Sequence, residues 1–209
     1  MKKLLSISTL LGMMMWGISL MAGDDAATST YIQAQEAQLE QLHAQFHAAA
    51  SAHNIVTGDS QDEIDNRIRQ VLALWIKTGY LKLETGSPYD GNYIGRGSLE
   101  NPAECPPPSG KAANQGTLCT LYKYVAGSFQ PGNIFISLTS AYKTHYKVTG
   151  NTALLFFECH YFDVAIDPTT GEPAWTPVSH VAYSGGAVKV NGVWRFSWAV
   201  APKVPVPVP

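Results

Sequence analysis

A β-strand is predicted from Thr152 to Ile166, where the chain reads TALLFFECHYFDVAI. The run is rich in aromatic and aliphatic residues, and successive side chains of a strand point to opposite faces. One face would carry Ala153, Leu155, Phe157, Cys159, Tyr161 and Asp163, and the other Leu154, Phe156, Glu158, His160 and Phe162. The two faces are therefore predicted to meet different surroundings.

Two hairpins are predicted in the same half of the chain. Residues 133–148 are a second β-rich run, joined to the first by Thr149-Gly150-Asn151, and a Gly-Asn pair between two such runs is typical of a hairpin turn. Further on, residues 180–190 and 193–200 are joined by Asn191-Gly192, a pair that suits a type I′ turn.

Helices are predicted in the N-terminal half. Apolar residues recur at three and four positions over residues 29–53, which is the spacing of an amphipathic helix. A second helix begins at Ser60, because Ser60-Gln61-Asp62-Glu63 matches a capping box, and it is predicted to run through Trp75 and stop near Gly79. A short strand at residues 81–84 and a helical turn or two at 117–125 follow. This order predicts an α+β fold whose curved, mostly antiparallel sheet wraps the N-terminal helices.

The composition is that of a globular protein, since 45% of the 209 residues are hydrophobic and 14% are charged. The net charge of -2 argues against nucleic acid as the main partner, because phosphate binding needs a basic face. The sequence contains no Ser-His-Asp order, Gly-rich phosphate loop or nucleotide fingerprint, and no cofactor is predicted. One domain is predicted at residues 27–201, followed by an extended Pro/Val-rich tail at 202–209.

Residues 1–26 are predicted to be a signal peptide. Met1–Lys3 is a short cationic start, Leu4–Met21 is mostly apolar, and small residues follow it. Cleavage near Ala22 or Ala27 would export the protein to the periplasm or the exterior of a bacterium, with no stable membrane span after processing. The alternative is a retained membrane anchor, which needs about 20 continuous apolar residues, and Gly and Ser positions interrupt this run.

Export would place the three cysteines in an oxidising compartment. Cys105 and Cys119 flank a Pro-rich stretch without apolar periodicity, and they are predicted to form a disulfide. Cys159 lies in the β-rich run and is predicted to stay free, as a small buried apolar side chain. The spacing of the three is not that of a zinc site.

Three segments, taken in order, share the pattern of a known superfamily. They are the helix positions Leu39, Leu42, Phe46 and Ala49, the stretch DGNYIGRGSL at 90–99, and VTGNTA at 148–153 followed by VKVNGVWRF at 188–196. Over about residues 30–200 the chain resembles the SnoaL-like branch of the nuclear-transport-factor-2-like (NTF2-like) superfamily. The resemblance implies a cone in which a bent sheet and three helices enclose an apolar pocket, often in a dimer formed by sheet packing. It also implies that the face carrying Ala153 meets the helices.

Members of the superfamily include isomerases, cyclases, dehydratases and proteins without known chemistry, so the resemblance does not choose a function. The chain departs from the pattern in two places. The loop at residues 97–116 is long, and the acids often found near the end of the second helix are absent, since residues 76–79 read IKTG. The second departure weakens any acid-base role carried over from the superfamily to this chain.

Asp163 and His180 are the candidate catalytic residues. Asp163 and Tyr161 are expected near the pocket mouth, where a carboxylate against apolar walls could act as a general base. His180 could face Asp163 across the sheet and form an imidazole–carboxylate pair. The alternative interpretation is that Asp163 only ends its strand and that His180 is solvated or held in the core.

His43 and His47 stand four residues apart on the first helix, a spacing that can place two imidazoles on one metal ion. Two ligands fall short of a closed zinc site. The pair is therefore interpreted as part of a solvated helix face, and no metal is predicted.

Aromatic residues supply most of the predicted core and pocket. Those expected near the core are Trp75, Tyr80, Tyr93, Tyr146, Tyr161, Tyr183, Trp194, Phe196 and Trp198. Those predicted to bind a ligand are Trp75, Tyr80, Tyr93, Phe157, Tyr161 and Trp194.

Three functions are compatible with these patterns. The leading one is binding of a small apolar or aromatic molecule in the pocket. The first alternative is a proton-transfer enzyme, an isomerase, cyclase or dehydratase, that uses Asp163 or His180. The second is a non-catalytic module that forms a homodimer through Leu154, Phe156 and Phe162 on the outer sheet face.

Overall fold

The computed structural model describes residues 6–86, 89–100, 118–132, 134–139 and 144–202. The chain divides into two compact units, residues 1–38, which hold most of the first helix, and residues 39–209. The helices are α1 (Ser6–Ala50), α2 (Gln61–Ala73) and α3 (Leu121–Ser128). The strands are β1 (Trp75–Leu83), β2 (Gly91–Ile94), β3 (Leu118–Cys119), β4 (Phe135–Thr139), β5 (His145–Thr149), β6 (Thr152–Ile166), β7 (Pro173–Val190) and β8 (Val193–Ala201).

The strands form one sheet in the order β3-β2-β1-β8-β7-β6-β4, and β5 pairs with β6 beyond the end of β4. The pairs β1–β8 and β2–β3 are parallel, and the other described pairs are antiparallel. The predicted α+β class with a mostly antiparallel sheet is therefore confirmed. The core joins the last turns of α1, the buried stripe of α2 and one face of the sheet.

The capping box of α2 is confirmed, because the Ser60 hydroxyl accepts from the Glu63 N–H and the Glu63 carboxylate accepts from the Ser60 N–H. The predicted end of this helix near Gly79 is wrong. The helix ends at Ala73, and Trp75 already pairs with Phe196 of β8. Periodicity could not show this, since the choice between helix and strand depended on a partner 121 residues away in the chain.

The other helices also differ from prediction at their ends. Helix α1 begins at Ser6 rather than near residue 29. The residues before position 29 include many Leu and Met, which are good helix formers. The helical turn predicted at 117–125 is α3, shifted to Leu121–Ser128 behind the short strand β3.

The strand predicted over residues 133–148 is two strands. Thr139 of β4 lies opposite Cys159 of β6, and His145 of β5 lies opposite Phe156. β4 and β5 therefore pair with β6 in registers that differ by three residues, and residues 140–143 lie outside the described residues.

Both predicted hairpins are confirmed. Asn191 and Gly192 both have positive φ, 51° and 81°, as a type I′ turn requires. Gly150 has φ 58° at the first position of the β5–β6 turn, which suits type II′. β7 is longer than predicted, because residues 173–179 extend the pairing with β6.

The alternation predicted for β6 is confirmed from Ala153 to Tyr161, whose odd-numbered residues are buried in the main core. At Phe162 the register against β7 shifts by one residue. Beyond the shift Val164 is buried in a second small cluster with Ala52, Ile134 and Ile136, and Asp163 is exposed.

A buried ion pair holds the end of α1. The Arg67 guanidinium donates to the Asp59 carboxylate at 2.7 Å and to the carbonyls of Ala49 and Ala50 at 3.1 and 2.6 Å. These carbonyls belong to the last turn of α1, where carbonyl groups have no hydrogen-bond donors within the helix. Arg67 thus satisfies the helix end and fixes it to α2.

Among the described residues, no helix contains a stretch long and apolar enough to cross a bilayer. Free Cys159 is buried, as predicted. Cys105 and residues 203–209 lie outside the described residues, so the Cys105–Cys119 disulfide and the extended tail stay predictions.

Candidate functional site

Two neighbouring chambers lie between the helices and the inner face of the sheet. The inner chamber has a volume of about 60 Å³ and an almost wholly apolar wall. It is lined by Phe46, Ala50, Val71, Trp75, Leu81, Leu121, Tyr124, Val125, Ser128, Phe129, Phe135, Phe157, Tyr161, Tyr183, Phe196 and Ala199.

The outer chamber is larger, about 340 Å³, and more polar. It is lined by Leu83, Thr85, Tyr89, Tyr124, Ser128, Phe135, Tyr161, Asp163, Val178, Ser179, Val181 and Tyr183. The chambers share Tyr124, Ser128, Phe135, Tyr161 and Tyr183, which therefore form the junction between them.

Three tyrosines give this junction its polar character. The hydroxyls of Tyr161 and Tyr183 lie 3.1 Å apart, and Tyr124 lines both chambers together with them. Burial raises the pKa of all three phenols well above the usual value. They are therefore neutral at physiological pH and can donate or accept a hydrogen bond, but none is a base.

Strand β6 places a thiol beside an imidazole behind the junction. Cys159 Sγ lies 3.9 Å from His47 Nε2, and His47 Nδ1 lies 2.8 Å from Ser137 Oγ. Burial raises the pKa of Cys159 to about 12, so this thiol is protonated and is not a nucleophile.

The interpretation of His43 and His47 as a solvated pair is wrong, because only 2% and 8% of their surfaces are exposed. Burial lowers the pKa of each imidazole to about 4, so both are neutral. His43 Nδ1 lies 3.2 Å from the Leu39 carbonyl and 3.1 Å from the Tyr146 hydroxyl. The signal was present in the sequence, since both histidines fall on the buried stripe that begins at Leu39 and ends at Ala50.

The structure brings three of the six predicted ligand-binding residues to the inner chamber, namely Trp75, Phe157 and Tyr161. The other three lie elsewhere. The Tyr80 hydroxyl donates to Asn92 Oδ1 at 2.9 Å, and the Tyr93 hydroxyl donates to the Tyr89 carbonyl at 2.6 Å. Trp194 is buried beneath Lys189, whose ammonium lies 5.6 Å from its ring.

The predicted Asp163–His180 pair does not form. Asp163 lies opposite Thr176 and lines the outer chamber, whereas His180 lies opposite His160 on the other face of the sheet. His180 Nε2 is 2.8 Å from Glu158 Oε2 instead. The pairing register of β6 with β7 caused the error, because it could not be read from either strand alone.

Tyr124 and Tyr183 are the important pocket residues that the sequence-based ligand set omitted. Helix α3 begins at Leu121. Counted from there, the i, i+3, i+4, i+7 spacing of one helix face selects Leu121, Tyr124, Val125 and Ser128. All four line the inner chamber, so this spacing would have identified Tyr124 had the start of the helix been placed correctly.

No protein-family model matches the chain, and no curated protein matches it in sequence. Solved structures do match it in fold. An NTF2-like protein with a cystatin-like fold from Novosphingobium aromaticivorans superposes with a TM-score of 0.53 at 11% identity, over 86% of this chain and 88% of the other. A candidate dehydratase of the NTF2-like family from Streptomyces avermitilis gives 0.52 at 14% identity, over 83% and 99%.

A protein of unknown function from Mycobacterium tuberculosis gives a TM-score of 0.50 at 12% identity, over 84% of this chain and 75% of the other. Identities this low establish the architecture and leave the chemistry open. The order of the elements, the mostly antiparallel sheet and the chambers against its inner face agree with these matches: this chain has the NTF2-like fold.

Proposed function

We propose that the protein binds a small, flat, largely apolar molecule that carries one polar oxygen. The observation behind the proposal is the tyrosine junction, where neutral hydroxyls meet in otherwise apolar walls. Ligand sites commonly combine apolar walls with a few polar groups that fix orientation.

The chamber sizes indicate how such a ligand would lie. A dry apolar cavity of about 150 Å³ takes up a benzene ring, so the inner chamber at about 60 Å³ is too small for a ring. The outer chamber, at about 340 Å³, is large enough. The body of the ligand would occupy the outer chamber, with its oxygen at Tyr161 and Tyr183 and only a narrow end in the inner chamber.

The proposal is tested with 2-naphthol, which has a flat apolar body and one hydroxyl. Saturable binding of one molecule per chain is expected in calorimetry. Ser128→Phe places a ring at the junction and should abolish binding, whereas Ser128→Ala, which loses the same hydrogen bond to the Tyr124 carbonyl, should bind normally. Absence of saturable binding, or equal binding by Ser128→Phe, would contradict the proposal.

A second candidate function is proton transfer, because the Asp163 carboxylate lines the same chamber as Tyr161 and Tyr183. A carboxylate that removes a proton and a phenol that donates a hydrogen bond to the developing oxyanion are the groups that enolisation needs. Hydrogen–deuterium exchange into 2-tetralone, followed by NMR in D₂O, tests it. Exchange above the rate in buffer that is lost in Asp163→Asn supports this candidate, and exchange at the rate in buffer rejects it.

We also propose that the protein is exported, with residues 1–26 as the signal peptide. The cationic start and the apolar run of the sequence support this. Cell fractionation and mass measurement of the mature chain test it. A protein that retains Met1 in the cytoplasm would contradict export.

The outer sheet face supports a further proposal, a homodimer formed through this surface. Leu154 and Phe156 are exposed by 57% and 37%, and Phe162 is half-buried. Apolar side chains grouped on a sheet face often mark an interface. Light scattering should give twice the chain mass for the natural protein and a single chain mass for Leu154→Lys.

A further inference from the structure

Glu158, His160 and His180 form a cluster on the sheet face opposite the two chambers. Glu158 and His160 are two residues apart on β6 and so share a face, and His180 of β7 lies directly opposite His160. One ligand atom from each of the three side chains lies within 4.8 Å of the others. The proposed function uses none of them.

The three side chains are tightly arranged. His180 Nε2 is 2.8 Å from Glu158 Oε2, and the two imidazole rings stack with their centroids 4.0 Å apart and their planes 15° from parallel. The side chains of His180 and Glu158 are only 15% and 10% exposed. His180 Nδ1 is buried and has no hydrogen-bond partner among the described residues. The cluster is therefore largely shielded from water.

We propose that this cluster binds a divalent transition-metal ion of the zinc type. Two imidazole nitrogens and one carboxylate oxygen are a donor set found in zinc sites that keep a fourth position open. Tetrahedral bonds of about 2.0–2.2 Å would place two ligand atoms on one ion roughly 3.3–3.6 Å apart, so the 2.8 Å between His180 Nε2 and Glu158 Oε2 needs to widen by less than 1 Å. Calcium and magnesium prefer sites built mainly from oxygen, so two imidazoles argue against them.

The bound ion would join β6 to β7. The carboxylate and one imidazole come from β6 and the other imidazole from β7, so coordination links neighbouring strands in addition to their backbone hydrogen bonds. A fourth position would hold water or an exogenous ligand. The site lies on the opposite face from the tyrosine junction, so its occupation can be tested separately from ligand binding there.

The test uses the full chain, dialysed against EDTA and then titrated with Zn²⁺ in a calorimeter. One ion per chain is expected, together with a rise in melting temperature. Co²⁺ should give visible absorption bands typical of nitrogen and oxygen ligands without sulfur. Glu158→Gln, His160→Gln and His180→Gln should each weaken Zn²⁺ binding by about tenfold or more.

His53→Gln and His145→Gln are the matched controls, because both histidines are exposed and lie outside the cluster. They should bind Zn²⁺ as the natural protein does. His47→Gln tests the buried helix histidines as a competing site. If a cluster variant does not fold, X-ray absorption at the zinc edge of the His47→Gln variant still decides, since two imidazoles should remain there and fewer would place the ion at the helix histidines.

Three results would overturn the proposal. The first is that Zn²⁺ does not bind stoichiometrically, in which case Glu158 and His180 form only a hydrogen-bonded pair. The second is that folded cluster variants bind as tightly as the natural protein. The third is that His47→Gln removes binding while the cluster variants retain it.

Discussion

The hydroxyls of Tyr161 and Tyr183 form a hydrogen bond of 3.1 Å, although the two residues do not lie opposite each other in the β6–β7 pairing. Tyr183 lies opposite Phe157 and stacks on it, with ring centroids 5.0 Å apart and planes 12° from parallel. The stacking directs the hydroxyl of Tyr183 along the sheet towards Tyr161. Two neutral phenols are thereby placed where the inner and outer chambers meet.

Removing one of these hydroxyls should weaken ligand binding. Tyr183→Phe keeps the stacking on Phe157 but leaves the Tyr161 hydroxyl without this partner. A hydrogen bond contributes about 1 kcal/mol, so the affinity for 2-naphthol should fall roughly fivefold. Calorimetry measures the change. Tyr80→Phe is the control, because its hydroxyl bonds to Asn92 outside both chambers, and equal losses in the two variants would show that the junction has no special role.

The two buried histidines predict that stability falls in mild acid. Burial lowers the pKa of His43 and His47 from 6.5 to about 4, so the unfolded chain takes up protons before the folded one. Their contribution to stability is complete above pH 6.5 and is lost as the pH falls to about 4. At 1.36 kcal/mol per pKa unit this loss is roughly 3 kcal/mol per histidine.

Urea denaturation at several values between pH 7 and pH 4 measures this dependence. His47→Gln should flatten the slope of stability against pH, whatever its effect on stability at pH 7. His53→Gln, which alters an exposed histidine, should keep the natural slope. A natural protein whose stability does not change over this range would contradict the assignment.

Gly186 should not tolerate a methyl group. A Cβ at this position would overlap Nε1 of Trp198, which lies opposite it on β8. Overpacking of this kind costs about 1–3 kcal/mol, so Gly186→Ala should lower the free energy of unfolding by that amount. Gly91→Ala is the matched control within a strand, because its new Cβ would lie at an ordinary van der Waals distance of 3.7 Å from the ring of Tyr93. Equal stability of the two variants in urea would show that Trp198 moves aside freely.

The Arg67–Asp59 pair predicts a large loss on removal of one partner. Burial alone would raise the pKa of Asp59, but backbone N–H donors from Asn54 and His53 and the Arg67 guanidinium outweigh it and lower that pKa. Arg67→Met leaves the carboxylate buried without its cation, which should cost about 3–5 kcal/mol. The double variant Asp59→Asn, Arg67→Met should lose less, as measured in urea. A larger loss in the double variant would contradict the ion-pair account.

The cysteines predict the outcome of a thiol titration. Cys159 is buried with its pKa raised to about 12, so it should not react with a thiol reagent in the native protein. If Cys105 and Cys119 form the predicted disulfide, the unfolded, unreduced chain should show one thiol of the three cysteines. Three thiols under those conditions would exclude the disulfide.

Much of the fold could be predicted where the signal was local. The capping box at Ser60 and the Asn191-Gly192 turn each depend on a few neighbouring residues, and both are confirmed. The predicted end of α2 and the predicted single strand over residues 133–148 were wrong, because pairing with strands far away in the chain decides both. The spacing of Trp75 also fits the apolar stripe of a helix, and only its pairing with Phe196 of β8 places it in the sheet.

The residues of the candidate site could likewise be predicted where the signal was local, and not where it depended on distant parts of the chain. Alternation along β6 correctly grouped Phe157 with Tyr161 on one face, since that pattern belongs to a single strand, and the family resemblance identified this face as the inner one. The partner of His180 depended on the register between two strands, and that register places His180 opposite His160, three residues before Asp163. Tyr124 depended on where a short helix begins.

The sequence alone therefore determined the helix-then-sheet order, the turns, and which side chains of β6 share a face, because each is encoded in the spacing of nearby residues. Only the tertiary structure decided that three tyrosines share one junction, that His43 and His47 are buried and neutral, and that Glu158 meets two histidines. Those contacts join elements far apart in the chain, and their geometry is fixed by strand register and by the packing of helices on the sheet.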